Sequence, residues 1–392
     1  MPRAILKKIT KLKRLMLNKK KIIFVTSTRA DFGKLKSLIK ITKHTSTFDV
    51  KIVVTGMHML KKFGSTYREV DKIFRSNIIK FKNQESNDTM EVILSKTVKK
   101  FSTIVRSTKP DLIIIHGDRV EALACASVGA LNHILTAHVE GGEISGTIDD
   151  SIRHAITKLS HIHFVGSSMA KKRILNMGEK TKSIYKIGSP DMDIIINKKL
   201  PNFKIVKKRY GIKFDDYSIL MWHPVTSELS KLAKNTINLI NFLKKLNRNF
   251  VIVYPNNDPG SSIIIKKYEN IKLKKFKILR SLRFEHFLSL LKNSEFIIGN
   301  SSSAIYEAPM FNLPAINIGD RQHKRTKSKL IKNVEIDNLN EITINKFLNN
   351  YKKSNKNLFG IGKSDQKFLN IISQKSFWQT SNQKFFNDVN LK

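Results

Sequence analysis

The chain holds one cysteine, Cys125, in 392 residues. That excludes a disulfide framework and a cysteine zinc site, and a reducing, cytoplasmic setting is expected. No run of about 18 apolar residues occurs, so no transmembrane helix is expected. The first stretch, MPRAILKKITKLKRLMLNKKK, is basic and acid-free. It lacks the apolar centre of a signal peptide. Residues 1–20 are read as a basic extension, with a short amphipathic helix on anionic lipid as the alternative. Acids are scarce, 31 against 72 Lys and Arg, for a net charge of +41. Such a balance invites a nucleic-acid partner. The lysines, however, are spread along the whole chain. Zinc-finger spacing, an RRM signature and an aromatic-interleaved basic ribbon are all missing. No nucleic-acid partner and no stable membrane insertion are expected, although the field of such a surface draws in anionic substrates. The GNSSSAIYE stretch (299–307) carries neither GK[ST] nor GxGxxG, which argues against a P-loop and against a dinucleotide cofactor there.

What is present is apolar and periodic. Hydrophobic residues make up 41% of the chain, enough for buried cores. The length predicts two domains of roughly 150–200 residues. KIIFVTS (21–27), FDVKIVVTG (48–56), DLIIIHGD (111–118) and HILTAHVEGG (133–142) read as strands, followed by HIHFVGSS and SIYKIGSPD. Helical spacing lies between them, as in MEVILSKTVKKFSTIVRS (90–107). Residues 199–215 read as a linker. The alternation then restarts with YSILMWHP, NFVIVYPNND, KFKILRSL, FIIGNSSS and PAINIGD. Helices are expected over 228–246, 261–269, 283–292 and 303–311. Strands apolar on both faces and alternating with helices predict doubly wound, mostly parallel α/β sheets. Two Rossmann-like domains are expected over 21–200 and 201–370, with 371–392 packing back across both.

In open α/β sheets, ligands bind beyond the carboxyl ends of the strands. Those ends here carry Thr28-Arg29-Ala30-Asp31, His116-Gly117-Asp118-Arg119, His223-Pro224, Asn256-Asn257-Asp258 and Gly299 to Ser303. GNSSSAIYE (299–307) puts a glycine and hydroxyls at a predicted helix start, an anion site. Ser301 and Ser302 can bond a diphosphate there, and Glu307 suits a vicinal diol such as a ribose. A plain serine cap is the structural alternative. HVEGGEISGTIDDSIRH (138–154) gathers Glu140, Glu143, Asp149 and Asp150, with Gly141, Gly142 and Gly146 permitting a tight path. Asp118 stands at a neighbouring strand end. Carboxylates brought together split into acid and base roles. Asp149 and Asp150 also suit helix capping, and Glu143 suits bracing the loop. His138, Glu140, His154 and His163 match no standard zinc spacing. His138 and His154 are read as orienting the loop.

On these residues the chain resembles the hydrolysing UDP-N-acetylglucosamine 2-epimerases of sialic- and legionaminic-acid biosynthesis. TSTRADFGK, TGMHM, HGDRVEALA, HVEGGEISGTIDDSIRHAITKLSH, GSPD, HPVTSE, YPNNDPG, GNSSSAIYE and GDRQ are collinear over about residues 20–330. TSTRAD, HPVTSE, YPNNDPG and SLRFEHF look most like the branch acting on bacillosamine-type sugars. The resemblance implies a GT-B fold with the nucleotide sugar between two Rossmann-like domains. It implies elimination of the nucleoside diphosphate to a 2-acetamidoglycal, hydration to the free 2-epimer, no cofactor or metal, and dimers or tetramers. By matching position it implies Asp118, Glu140 and Asp149 as acid–base carboxylates. His223 and Arg29 would neutralise the departing diphosphate. Ser301 and Ser302 would hold phosphate and Glu307 the ribose, with Gly33, Arg119, Asn256, Ser281 and Arg321 as further nucleotide contacts. A GT-B glycosyltransferase using a nucleotide sugar is the alternative. One departure stands out: His323-Lys324-Arg325 puts lysine where that family carries glycine. At positive φ this would cost about 1 kcal/mol or more.

Overall fold

The computed structural model describes residues 19–85, 87–145, 148–197, 200–256, 258–322, 328–352 and 362–388. Residues 1–18 of the expected extension, Gly146, Asn257 and the His323-Lys324-Arg325 turn lie outside the described residues.

The first sheet has seven strands: β1 (Lys20–Thr26), β2 (Phe48–Val54), β3 (Ile78–Lys80), β4 (Leu112–His116), β5 (Leu135–Val139), β6 (Ile162–Val165) and β7 (Ile184–Lys186). Their order is β3-β2-β1-β4-β5-β6-β7, with every pair parallel. The second has six: β8 (Ser218–Met221), β9 (Phe250–Val253), β10 (Phe276–Leu279), β11 (Ile297–Gly299), β12 (Ala315–Ile318) and β13 (Ile331–Val334). Its order is β10-β9-β8-β11-β12-β13, again all parallel. Both orders reverse beside their first strand, between β1 and β4 and between β8 and β11. Such switch points open the crevice that ligands use. This is the GT-B arrangement of two Rossmann-like α/β domains.

β1 feeds two cores. Ile22 and Phe24 of β1 face one hydrophobic cluster, and Ile23 and Val25 face another. That is why this strand reads as an unbroken apolar run. Beyond β1 the chain turns at once into helix Arg29–Lys43. Thr28 accepts from the Asp31 N–H at 3.1 Å, and Asp31 accepts from the Thr28 N–H, a reciprocal capping box. The strand end and the cleft face of this helix are thereby fixed together. Among the described residues, no helix is long and apolar enough to cross a membrane.

Four expectations are corrected. The linker contains a helix, Phe203–Tyr210, capped by Asn202 and ended by Gly211 at φ 62°. The expected helix over 303–311 is two 3₁₀ turns, Ser302–Ala304 and Ala308–Phe311. Pro309 has no N–H to donate back and cannot sit inside an α-helix. β3 and β13, short edge strands, were not foreseen. Finally, the chain returns to the first core earlier than residue 371, at helix Ser364–Ile372. Asp193 of the first domain caps it, accepting from the Ser364 and Asp365 N–H groups at 2.8 and 3.0 Å. Phe368 is fully buried beside Phe24 and Phe164, at ring distances of 6.2 and 4.9 Å. Phe368→Ala is expected to destabilise the first domain by about 3–5 kcal/mol. Urea unfolding followed at Trp378, whose ring lies 5.2 Å from that of Phe377, checks this.

Candidate active site

The carboxyl ends of both sheets enclose one cavity of about 300 Å³. Arg29, Asp118, Arg119, Glu140, Asp149, His223, Asn256, Ser281, Ser301, Ser302, Glu307 and Arg321 line it. Gly33, expected as a nucleotide contact, does not. A Cβ there would stand 2.9 Å from Phe284, so Gly33 instead lets its helix approach helix Phe284–Lys292 of the other domain.

The first domain supplies the acidic wall. Glu140 follows β5 directly and takes φ 61°, a left-handed turn unusual for a non-glycine residue. Its Oε2 accepts from Lys34 Nζ and from His116 Nε2, each at 2.9 Å, and its Oε1 accepts from Ser189 Oγ. Burial by itself raises this carboxyl's pKa. Lys34, His116 and Ser189 outweigh that and hold it well below the usual carboxylate range. Glu140 is therefore an ionised carboxylate on the cavity wall. Asp118 sits on the turn after β4 and is 29% exposed. It accepts from Arg153 Nη2. His138 Nε2 donates to Gly117 O at 2.7 Å and sets that turn. Burial pushes the His138 pKa down to about 3, so its ring is neutral and serves as a fixed hydrogen-bond group. His154, expected to share this role, is exposed on its helix.

The loop after Glu140 is braced from within. Asp150 accepts from the Ser145 N–H at 2.6 Å and from Arg153 Nη1 at 2.6 Å. Arg153 also donates to Glu143 O at 3.0 Å. Glu143 does more than brace this loop: it accepts from Tyr306 of the second domain at 2.8 Å.

The second domain faces this wall with cations and small polar groups. Arg321 reaches Asp149 across the cleft at 3.4 Å. Arg119 pairs with Asp258 at 2.6 Å, in the opposite direction. Asn300 clamps His223, accepting from its N–H at 2.7 Å and donating to its C=O at 2.9 Å. His223 Nδ1 accepts from the Asn256 N–H at 3.1 Å, which leaves the ring proton on Nε2. Burial, reinforced by Arg321, lowers the His223 pKa to about 3. The expectation of a charged His223 is thus corrected: it offers a neutral N–H, and the positive charge comes from the arginines. Arg29 is also revised. Its charge is met by Glu69 at 3.0 Å, and it donates to Ser281 across the domain boundary. Ser301 accepts from the Ser303 N–H at 3.3 Å. With only a 3₁₀ turn behind it, the anion site there rests on local N–H and hydroxyl groups, without a long helix dipole. Glu307 is buried, and its Oε2 has no hydrogen-bond partner among the described residues.

Lys34, Arg153 and Tyr306 also shape the site and were not expected in it, whereas His116 and Asn300 were named with the strand ends but given no role. His116 and Asn300 stood at strand ends, which was a usable signal. Lys34 carried none, being one lysine among very many.

The profile of the UDP-N-acetylglucosamine 2-epimerase family matches residues 40–373. The UDP-N-acetylglucosamine 2-epimerase of Neisseria meningitidis serogroup B is 40% identical, over 95% of this chain and 100% of that protein. The UDP-N,N'-diacetylbacillosamine 2-epimerase (hydrolyzing) of Legionella pneumophila is 33% identical, over 90% of this chain and 95% of that protein. The crystal structure of the Methanocaldococcus jannaschii UDP-GlcNAc 2-epimerase, in complex with UDP-GlcNAc and UDP, shares the fold at a TM-score of 0.76 and 22% identity, covering 90% of this chain and 99% of that one. With its two switch-point clefts joined around one acid-walled cavity, this chain belongs to the UDP-N-acetylglucosamine 2-epimerase family.

Proposed function

We propose that the chain is a hydrolysing nucleotide-sugar 2-epimerase. Its substrate is UDP-N-acetylglucosamine or a UDP- or GDP-linked 2,4-diacetamido-trideoxy glucose. Its products are the nucleoside diphosphate and the free 2-epimer, a precursor for sialic- or legionaminic-acid synthesis. The observation that carries this reading is Glu140, a mostly covered, ionised carboxylate facing arginines across a cavity. A base and an anion site on opposite walls suit loss of a proton from one carbon and of a diphosphate from its neighbour. A carboxylate takes the C2 proton, the C–H electrons form the C1=C2 bond, and the C1–O bond breaks onto the diphosphate. Arg321 and Arg119 balance the departing charge, and His223 donates a neutral hydrogen bond to it. Ser301 and Ser302 hold phosphate, and Glu307 Oε2 accepts from a ribose hydroxyl. A proton then returns to C2 from the opposite face and water adds at C1. Asp118 and Asp149 stand on the wall that can serve this second half. The hydrolyzing relative of Legionella supports the class of reaction. The enzyme works in the cytoplasm as a dimer or tetramer, a state that light scattering reads directly.

The test is a panel of UDP-N-acetylglucosamine and UDP- and GDP-linked diacetamido-bacillosamine in D₂O, with products followed by NMR. Free nucleoside diphosphate, a manno-configured sugar and deuterium at C2 are expected. An epimer still joined to its nucleotide overturns hydrolysis. Transfer to an acceptor without C2 exchange points to a glycosyltransferase instead.

A further inference from the structure

Among the buried acids that the reaction above does not use, Asp191 is the one paired to the lysine that holds Glu140. Asp191 opens helix Asp191–Asn197 after the GSP turn and is 1% exposed. It does not line the cavity. Its Oδ2 lies 2.9 Å from Lys34 Nζ, and among the described residues no other hydrogen-bond partner reaches either oxygen. The same ammonium lies 2.9 Å from Glu140 Oε2 and 5.6 Å from the centre of the Tyr306 ring. One cation therefore bridges the active-site carboxylate and an acid hidden behind it. The backbone joins them too, since Ser189, two residues before Asp191, donates to Glu140.

The charge count makes this arrangement consequential. Asp191 and Glu307 are buried, with Glu307 entering from the second domain, and the Glu140 side chain is 13% exposed on the cavity wall. Lys34 is the ammonium between them, and His116 flanks Glu140 on its other side. Three carboxylates against one ammonium would leave two unbalanced negative charges away from water, which is costly. Protons relieve this, and they do not fall evenly. Burial raises the Asp191 pKa to about 8, with Glu307 and Glu140 adding to it against the pull of Lys34. Burial raises Glu307 as well, while Glu140 is held low.

We propose that Asp191 is a positioning residue for the epimerase reaction: it anchors Lys34 against Glu140 and stores the surplus proton of this cluster, so that Glu140 meets the substrate ionised. The proposal rests on the functional reading above. When Asp191 ionises, its own anion draws Lys34 away from Glu140, and the cavity wall becomes more repulsive to an anionic substrate. Wild-type kcat is then expected to fall as the pH rises through about 8.

The experiment is a kcat and KM pH profile of wild type, Asp191→Ala and Asp191→Asn, with thermal melts to confirm folding. For Asp191→Ala, kcat is expected to drop about tenfold near neutral pH with KM within about twofold, since the base is disordered rather than the binding face. Asp191→Asn keeps the shape and the neutral state. It should restore kcat to within about threefold and lose the alkaline limb. A purely structural residue would not remove that limb. An alanine variant with wild-type kcat, a loss confined to KM, or an unchanged limb in Asp191→Asn overturns the proposal. Should neither variant fold, a wild-type profile with no fall between about pH 7 and 9 overturns it equally. Wild type releasing no nucleoside diphosphate at all refutes the functional reading, which is a separate result.

Discussion

Replacing Glu140 by Gln is expected to lower kcat by about a thousandfold, with the protein still folded. The loss follows from what the side chain is: the one ionised carboxylate on the wall that receives Lys34, His116 and Ser189 together. Gln keeps the length and one acceptor but cannot take a proton from carbon. Folding survives because Lys34 is not stranded. Asp191, still 2.9 Å away, becomes the sole acid paired to it and ionises in its place. Asp118→Asn is expected to cost less, about a hundredfold, since Asp118 is partly exposed and Asn still accepts from Arg153. Both variants are read by nucleoside diphosphate release and by deuterium entry at C2. Glu140→Gln should stop exchange and release together. Diphosphate release that persists while the 2-acetamidoglycal accumulates in place of the hydrated sugar would move Glu140 to the hydration half. Near-normal rates in both variants would sink the assignment of the site.

Much of this was legible in the sequence because parallel strands bury both faces. β1 could hardly read otherwise, with Ile22 and Phe24 in one core and Ile23 and Val25 in another. Once strands were placed, their carboxyl ends followed, and with them Asp118, Glu140, His223 and Ser301. What stayed hidden depends on partners remote in the chain. Helix Phe203–Tyr210 buries Val206 and leaves a polar lysine face, so it carries little apolar period. The return at Ser364 is set by Asp193, which no local pattern connects to it. The polarity of His223 could be read, but its neutrality could not. That comes from burial and from Arg321, both delivered by other strands. Gly33 looked like room for a nucleotide and is room for Phe284. Lys34 and Asp191 meet only because helix Asp191–Asn197, which follows the edge strand β7, packs back against helix Arg29–Lys43.

Gly299→Ala is expected to destabilise the second domain by about 3 kcal/mol or more, because two penalties coincide. Gly299 ends β11 at φ 131°, a region that L side chains rarely adopt. A Cβ there would also stand 2.7 Å from the carbonyl carbon of Met221 and closer still to its oxygen. That neighbour is backbone and cannot swing aside. Gly299 is in register with Met221, and the Asn300 N–H donates to Met221 O at 3.1 Å. Relief requires β8 and β11 to part at the switch point. Asn300 would then lose its pair of hydrogen bonds to His223 and its carbonyl contacts with Arg321 and Gln322, at 3.2 and 2.9 Å. A variant that still folds should therefore show a raised KM for the nucleotide sugar. Gly319→Ala is the control. Its φ is 68°, but nothing lies within 4 Å of the added Cβ. The backbone penalty alone, about 1 kcal/mol, is expected there. The chain's two tryptophans make the comparison direct, since Trp222 belongs to the second core and Trp378 packs on the first. In a Trp378→Phe background, urea unfolding followed by Trp222 fluorescence should show a much larger midpoint shift for Gly299→Ala than for Gly319→Ala. Equal shifts would mean that β8 and β11 do not approach as closely as their register requires, and the clamp on His223 would need another origin.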